Sequence, residues 1–446
     1  MNRSFVLKVF GILFLVMLMA WALTYVNSLI LERKMRQEQS TQQVASSSAG
    51  YQTILGPVLV VPYTETYSES ILLADNKTQR VVSRKVDGKF YVLPEDLSLN
   101  GGFSNEYKSL GIYQVLMYQL GGSISGSFNL AKNLNYKSTH ADGLITLHDA
   151  YLSIGLSDPR GISGSPVLKW NKQQLEFAQG SSVNAIGSGI HASIGNIDAT
   201  NEKNIPFELS LNLRGMEQFS FVPIANTNNV ALDSSWQSPR FDGSFLPETK
   251  TINDKGFKAN WVVSSLASNV QEKLLTSLKT NTPQTFESLS VGFIEPINIY
   301  SQADRATKYG LLFIGLTFAG FFVFEILKQL RIHPAQYTLV GLAMALFYLL
   351  LVSLSEHISF VWSYIAASAA CVSLLGYYLS HVLKSKAHGL VFASMLTALY
   401  GALYGILASE DNALMMGSLL VFGLLALTMI VTRKVDWYEI GNAQNN

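Results

Sequence analysis

The chain has 446 residues, of which 48% are apolar but only 14% charged, against the ~25% charged share usual in globular domains. A net charge of +1 lacks the basic footprint of a nucleic-acid binder, and the single cysteine, Cys371, excludes an intrachain disulfide and a cysteine-based metal centre. Residues 32–304 hold 22 Lys and Arg against 25 Asp and Glu, while the two ends together hold 10 against 6, the excess expected of membrane segments with basic flanks.

The first predicted element is an apolar stretch over 9–30, preceded by Arg3 and Lys8 and long enough for a helix that spans the hydrocarbon layer. Ala20-Trp21-Ala22 resembles a signal-peptide cleavage site. The apolar character continues past it through Leu23, Tyr25, Val26, Leu29, Ile30 and Leu31, and bulky Trp21 sits inside it, so the stretch is read as an uncleaved anchor.

Residues 37–304 read as β-rich. Leu209-Ser210-Leu211-Asn212-Leu213 alternates apolar and polar residues, as does Phe219-Ser220-Phe221, and turn signals such as Asn100-Gly101-Gly102, Gly121-Gly122, Asp142-Gly143 and Asp242-Gly243 punctuate short runs. This pattern predicts antiparallel sheets in a sandwich-like domain. Thr41 to Ala49 is a polar stretch that extends the first helix, and apolar spacing over 266–278 predicts one short helix.

Catalytic motifs are missing from this region. Gly161-Ile162-Ser163-Gly164-Ser165-Pro166 lacks the spacing of a nucleophile elbow, and Ile186-Gly187-Ser188-Gly189-Ile190 is a lone Gly-x-Gly, read as a strand bend. His140 with Asp142, and His148 with Asp149, match no zinc spacing. Glu95 and Asp96 are adjacent on an extended chain and so point to opposite faces. The expectation is no catalytic residue, no metal site and no cofactor.

Five further apolar segments follow, at 309–327, 337–354, 360–379, 390–407 and 413–431. Their short loops alternate in charge: Lys328 and Arg331, then no Lys or Arg over 355–359, then Lys384 and Lys386, then Glu410 and Asp411, and finally Arg433 and Lys434. Basic short loops stay cytoplasmic, so six spans put both termini inside and the β-rich domain outside. Arg33, Lys34, Arg36, Arg305 and Lys308 go against this orientation, but they flank a long translocated domain, where the rule weighs little.

Glu325 is the only carboxylate inside a span and is read as an i,i+3 partner of Lys328, with a proton site as the sharper alternative. Glu356, His357, Glu410 and Asp411 fall at outer loops where water reaches them, and His357 beside Glu356 is a candidate pH sensor. Gly401 and Gly405, with Ala398 and Ala402 nearby, form a small-residue stripe read as close packing within one bundle; a homo-oligomer face there is the sharper alternative. Tyr348, Tyr400 and Tyr404 bring hydroxyls that need partners.

The run Tyr91-Val92-Leu93-Pro94-Glu95-Asp96-Leu97, with Gly111-Ile112-Tyr113 after it, resembles the CreD family of Gram-negative inner-membrane proteins. So do Phe241-Asp242-Gly243-Ser244-Phe245-Leu246-Pro247, Gly256-Phe257-Lys258-Ala259-Asn260-Trp261, Arg305-Ala306-Thr307-Lys308-Tyr309-Gly310 and His333-Pro334-Ala335-Gln336-Tyr337. The likeness covers nearly the whole chain; one departure is 264–271, where Ala267-Ser268 replace a more basic stretch. The resemblance implies a role in cell-envelope integrity, in the response to envelope stress and β-lactams, and no known enzymatic activity or ligand.

The expected α+β membrane protein therefore divides into a stub and anchor over 1–31, a β-rich periplasmic domain over 32–308, a five-helix bundle over 309–431 and a cytoplasmic tail over 432–446. The expected partners are the lipid bilayer and a periplasmic envelope component. The first functional reading is a non-enzymatic envelope protein. The alternative is a small-solute or lipid transporter or flippase, and an envelope hydrolase built from scattered residues is a third.

Overall fold

The computed structural model describes residues 3–72, 79–133, 138–197, 204–293, 299–327, 332–383, 385–409 and 413–433. Its contacts separate two units, residues 39–296 and residues 1–38 with 297–446. The helices are α1 (Arg3–Ser47), α2 (Leu130–Asn133), α3 (Val270–Thr280), α4 (Ile299–Leu327), α5 (Pro334–Ser355), α6 (Phe360–Val382), α7 (Lys386–Ala408) and α8 (Ala413–Thr432).

Two sheets, one of nine strands and one of eight, form the unit over 39–296. The long strand Gln52–Leu72 organises the first. It pairs in parallel with Gln218–Val222 and antiparallel with Gln79–Val92, Leu144–Leu147 and Ala150–Leu156. The second is built on the hairpin of Asp96–Leu110 with Tyr113–Phe128, in register from Asp96 opposite Ser127 to Leu110 opposite Tyr113. Its two-residue turn needs Gly111 at φ 62°, a conformation that costs little only without a Cβ.

Strand Ile205–Met216 alternates as its sequence predicts: Phe207, Leu209, Leu211 and Leu213 are buried, while Glu208, Ser210, Asn212 and Arg214 face out. One hydrophobic core takes residues from both sheets. Phe103 of the eight-stranded sheet meets Phe219 and Phe293 of the nine-stranded sheet, with ring centroids 5.5 and 5.0 Å apart. Phe241 and Trp261 make a similar edge contact at 5.7 Å. Such pairs add about 0.5–1.5 kcal/mol each to the burial of their area.

The short helix begins later than its apolar spacing predicts. Leu266 lies in a 3-10 turn, Ser265–Ala267, and is 96% exposed, while α3 buries Val270, Leu274 and Leu278 on one stripe. The polar end of α1 belongs to this unit too, so the boundary falls at 39 by contacts rather than at 32. There Val44 packs with Val115, Met117 and Met216, and Arg160 donates to the terminal carbonyls of Ala45 and Ser46.

In the other unit, five helices among the described residues are long and apolar enough to cross a membrane: α1 and α4 to α7. The twenty residues of α8 contain no charged side chain. Helix α5 starts on a capping box, in which the His333 ring accepts from Ala335 N and the Gln336 side chain accepts from His333 N. Helices α1 and α4 run antiparallel, because Lys8 meets Glu325 and Leu23 meets Gly310, fifteen residues along each chain. Phe10, Met17, Trp21, Leu390 and Phe422 stay exposed, as lipid-facing residues do, while Phe313, Phe318, Phe321, Tyr337, Phe347 and Tyr348 fill the interior.

Candidate functional site

Glu325 is buried near the end of α4 and gathers three donors. Its Oε1 pairs with Lys8 Nζ of α1 and accepts Ile332 N at 3.0 Å, and its Oε2 accepts the Tyr337 hydroxyl of α5 at 2.9 Å. The expected partner, Lys328, lies outside the described residues. A helix brings only local residues onto one face, so a partner 317 residues away could not be read from spacing. The ion pair, the backbone donor and the phenol together satisfy a carboxylate that would otherwise be costly to bury.

Glu356 follows α5 at its other end. Its side chain is 11% exposed and pairs with Arg33 of α1, Nε to Oε1 3.4 Å, while the buried Tyr300 hydroxyl donates to the same oxygen at 3.4 Å. The expectation of a water-exposed Glu356 beside His357 is therefore corrected: His357 is exposed, but Glu356 turns inward to α1 and α4. From Lys8 to Arg33 is 25 residues of continuous helix, about 37 Å at 1.5 Å per residue, close to the span of hydrocarbon plus headgroups. Glu410 and Asp411 lie outside the described residues.

Between the two ends lies an aromatic cluster. Phe347 of α5 contacts Tyr348, Tyr364 and Tyr400 at 4.9, 5.6 and 4.6 Å, and Tyr364 contacts Tyr404 at 5.3 Å. The Tyr364 hydroxyl donates to the Tyr400 carbonyl at 2.6 Å, and the Tyr400 hydroxyl meets Cys371 Sγ at 3.3 Å. Gly401 is exposed, and a Cβ there would touch nothing within 4 Å; at Gly405 it would meet only Met416 Cε, at 3.5 Å. Packing within the bundle thus does not explain Gly401. A close approach falls instead at Gly341, where a Cβ would lie 2.7 Å from Phe318 Cζ and 2.9 Å from Met19 Sδ.

In the β unit, Glu65 Oε1 accepts from the Ser138 hydroxyl, from His140 N at 3.0 Å and from His140 Nδ1 at 3.2 Å. The Ser138 bond, followed by those of His140, lowers the Glu65 pKa to about 2. The His140 ring stacks on Tyr67 at 3.5 Å, and Asp142 caps Ser68 N at 3.0 Å, a bond that lowers the Asp142 pKa. Serine and histidine share one carboxylate oxygen here, whereas a nucleophilic serine needs its hydroxyl on the histidine. The arrangement pins a loop to strand Gln52–Leu72.

His148 Nε2 lies 2.7 Å from Thr64 Oγ1, which itself donates to Asp87. No group of three metal-ligating side chains occurs among the described residues. Glu95 accepts from Asn226 and Asp96 from Ser127, so the two adjacent carboxylates do serve different partners. Gly187 turns the chain at φ 79°, and a Cβ on Gly189 would come within 2.0 Å of the Ile154 carbonyl, so this Gly-x-Gly is a turn followed by a tight strand contact.

Long apolar helices joined by ion pairs, with a two-sheet unit inserted after the first of them, define a polytopic membrane protein. A family model described as "Inner membrane protein CreD" matches residues 4–438. Inner membrane protein CreD of Escherichia coli (strain K12) is 33% identical over 423 residues, 95% of this chain and 91% of that protein. The chain belongs to the CreD family of multi-pass inner-membrane proteins. Among solved structures, the M1 zinc metallopeptidase from Deinococcus radiodurans aligns over 44% of this chain and 40% of its own, at 11% identity and a TM-score of 0.19, a likeness that carries no argument.

Proposed function

We propose that this protein supports the integrity of the cell envelope without catalysis, through a β-rich domain held on the periplasmic side by a membrane unit whose termini are cytoplasmic. The observation that carries the reading is the pairing of α1 at both ends, Lys8 with Glu325 and Arg33 with Glu356. It sorts the charges by membrane face.

The Lys8 end collects Arg3, Lys8, Lys328, Arg331, Lys384, Lys386, Arg433 and Lys434 against Glu325, Asp436 and Glu439. The Arg33 end collects Arg33, Lys34, Arg36, Arg305 and Lys308 against Glu32, Asp304, Glu356, Glu410 and Asp411. Three of those cations are engaged locally: Arg33 with Glu356, Arg36 with Glu32 and Lys308 with Asp304. Eight basic residues against five favour the Lys8 end as the cytoplasmic one, and the five flank a long translocated domain, where the rule weighs little.

The Lys8–Glu325 pair also supports an uncleaved α1. Cleavage at Ala22 would remove Lys8 and leave a buried carboxylate without its cation. Reporters of compartment fused at residues 150, 330, 357, 386 and 410 test the topology. Periplasmic signal at 150, 357 and 410 with cytoplasmic signal at 330 and 386 is the expected result, and the reverse pattern overturns it.

A further inference from the structure

A cleft of about 390 Å³ opens in the β unit between strand Gln79–Val92, the loop before strand Gly189–Gly195 and the end of α3. Lys89, Tyr91, Ser182, Asn184, Lys279 and Asn281 line it, and no carboxylate does. Lys89 and Tyr91 are two apart on one strand and therefore share a face.

Lys89 is held in place. Its ammonium donates to the Tyr151 hydroxyl at 3.0 Å and to the Ser182 carbonyl at 3.3 Å, and it sits 5.7 Å from the centre of the Tyr151 ring. An ammonium has three donors, so one remains for a ligand. The wall opposite is built rather than loose. Ser182 adopts φ 59°, a left-handed conformation that costs a residue with a Cβ, and the loop is tied down where Ser153 donates to the Ser181 carbonyl at 2.6 Å and Ser181 donates to Val183 O at 2.9 Å.

We propose that this cleft binds a phosphate-bearing ligand of sugar or headgroup size. This deepens the reading above by naming the chemistry of what the β-rich domain contacts. Two ammonium groups with no acid among the lining residues match a dianion. The cleft has no arginine, the residue that favours planar bidentate carboxylates, while lysine serves phosphate as a point charge. The volume exceeds that of a bare phosphate and falls in the range of small-molecule pockets. Tyr91, Asn184 and Asn281 supply the neutral donors that would orient the attached group. The carbonyl end of α3 opposes an anion, so both lysines are needed to overcome it.

The test uses the full chain in phosphatidylcholine nanodiscs, with glucose 1-phosphate as the probe, followed by titration calorimetry. Saturable binding, displaced by inorganic phosphate and not by glucose, is expected. Lys279→Gln should weaken it about tenfold, the loss of one hydrogen bond to a charged group, and Lys279→Glu should abolish it. Lys250→Gln, an exposed lysine beside Phe241, should leave it unchanged.

Nanodiscs containing phosphatidate separate two sources of the same chemistry. If they block the sugar phosphate, a lipid headgroup is the ligand; if not, the ligand is soluble. No saturable binding of either probe, or equal affinity in Lys279→Glu, overturns the site. Nanodiscs expose both faces, so a reversed reporter topology would sink the periplasmic reading and leave this measurement intact.

Discussion

Lys8 and Glu325 stand 317 residues apart and form an ion pair between α1 and α4, with Tyr337 of α5 on the second carboxylate oxygen. The pair closes the chain on itself: its first helix is fastened to the helix that follows the β unit. Breaking a buried pair by removing one partner costs roughly 3–5 kcal/mol, and the partial exposure of Lys8 puts this pair at or below the low end. Lys8→Met should therefore lower the thermal midpoint of the detergent-solubilised protein, and adding Glu325→Gln should restore part of the loss. Independent, additive effects would show that the two residues do not couple.

The same carboxylate separates the envelope reading from transport. A structural Glu325 predicts that Glu325→Gln and His357→Ala change stability alone. A phenotype dependent on pH or the proton gradient, lost in either variant, would favour the transporter or flippase.

At the other end, Arg33→Glu should destabilise by placing two carboxylates together, and Glu356→Arg on the same chain should recover the loss. Thermal midpoints of the two single variants and the double variant decide it, and a double variant no better than the singles would show that the pair is incidental.

Glu65 makes the docking of the 138–143 loop depend on acid. Its folded pKa, about 2, is below the ordinary value of 4.5, so its contribution is fully present above pH 4.5 and is lost as pH falls towards 2. Hydrogen exchange at His140 and Gly143 should thus rise over that window. Glu65→Gln should raise exchange at neutral pH and flatten the dependence.

Gly341 and Gly401 should respond in opposite ways. Gly341→Val forces a side chain against Phe318 and Met19 and should cost about 1–3 kcal/mol, while Gly401→Leu meets open space and should leave the thermal midpoint unchanged. If Gly401→Leu instead lowers cross-linking between copies in membranes, the small-residue stripe is a homo-oligomer face.

Phe103 joins the two sheets through edge contacts with Tyr118, Phe219 and Phe293. Phe103→Ala should cost about 3–5 kcal/mol and shift denaturant unfolding of the β unit accordingly.

Periodicity and hydropathy made the architecture legible. Leu209 to Leu213 announce their strand because a pleat repeats every two residues, and the spans announce themselves because hydrocarbon tolerates almost no charge. The end of α1 was legible only as a polar extension, since Val44 meets Val115 and Met117, and Arg160 meets the Ala45 carbonyl, only through the fold. The candidate residues were legible as types and not as partners. Glu325 stood out as a carboxylate in a span, while Arg33 stood out only as a cation on the wrong side of the charge rule.

Class, β content and family resemblance could be read from the chain alone, because each depends on local composition or on a short repeat along it. Only the tertiary structure decided that Glu325 belongs to Lys8, Glu356 to Arg33, and Lys89 to the same cleft as Lys279. Those pairings join residues far apart in the chain, and burial, ion pairing and shared cavities arise only once the helices and sheets have packed.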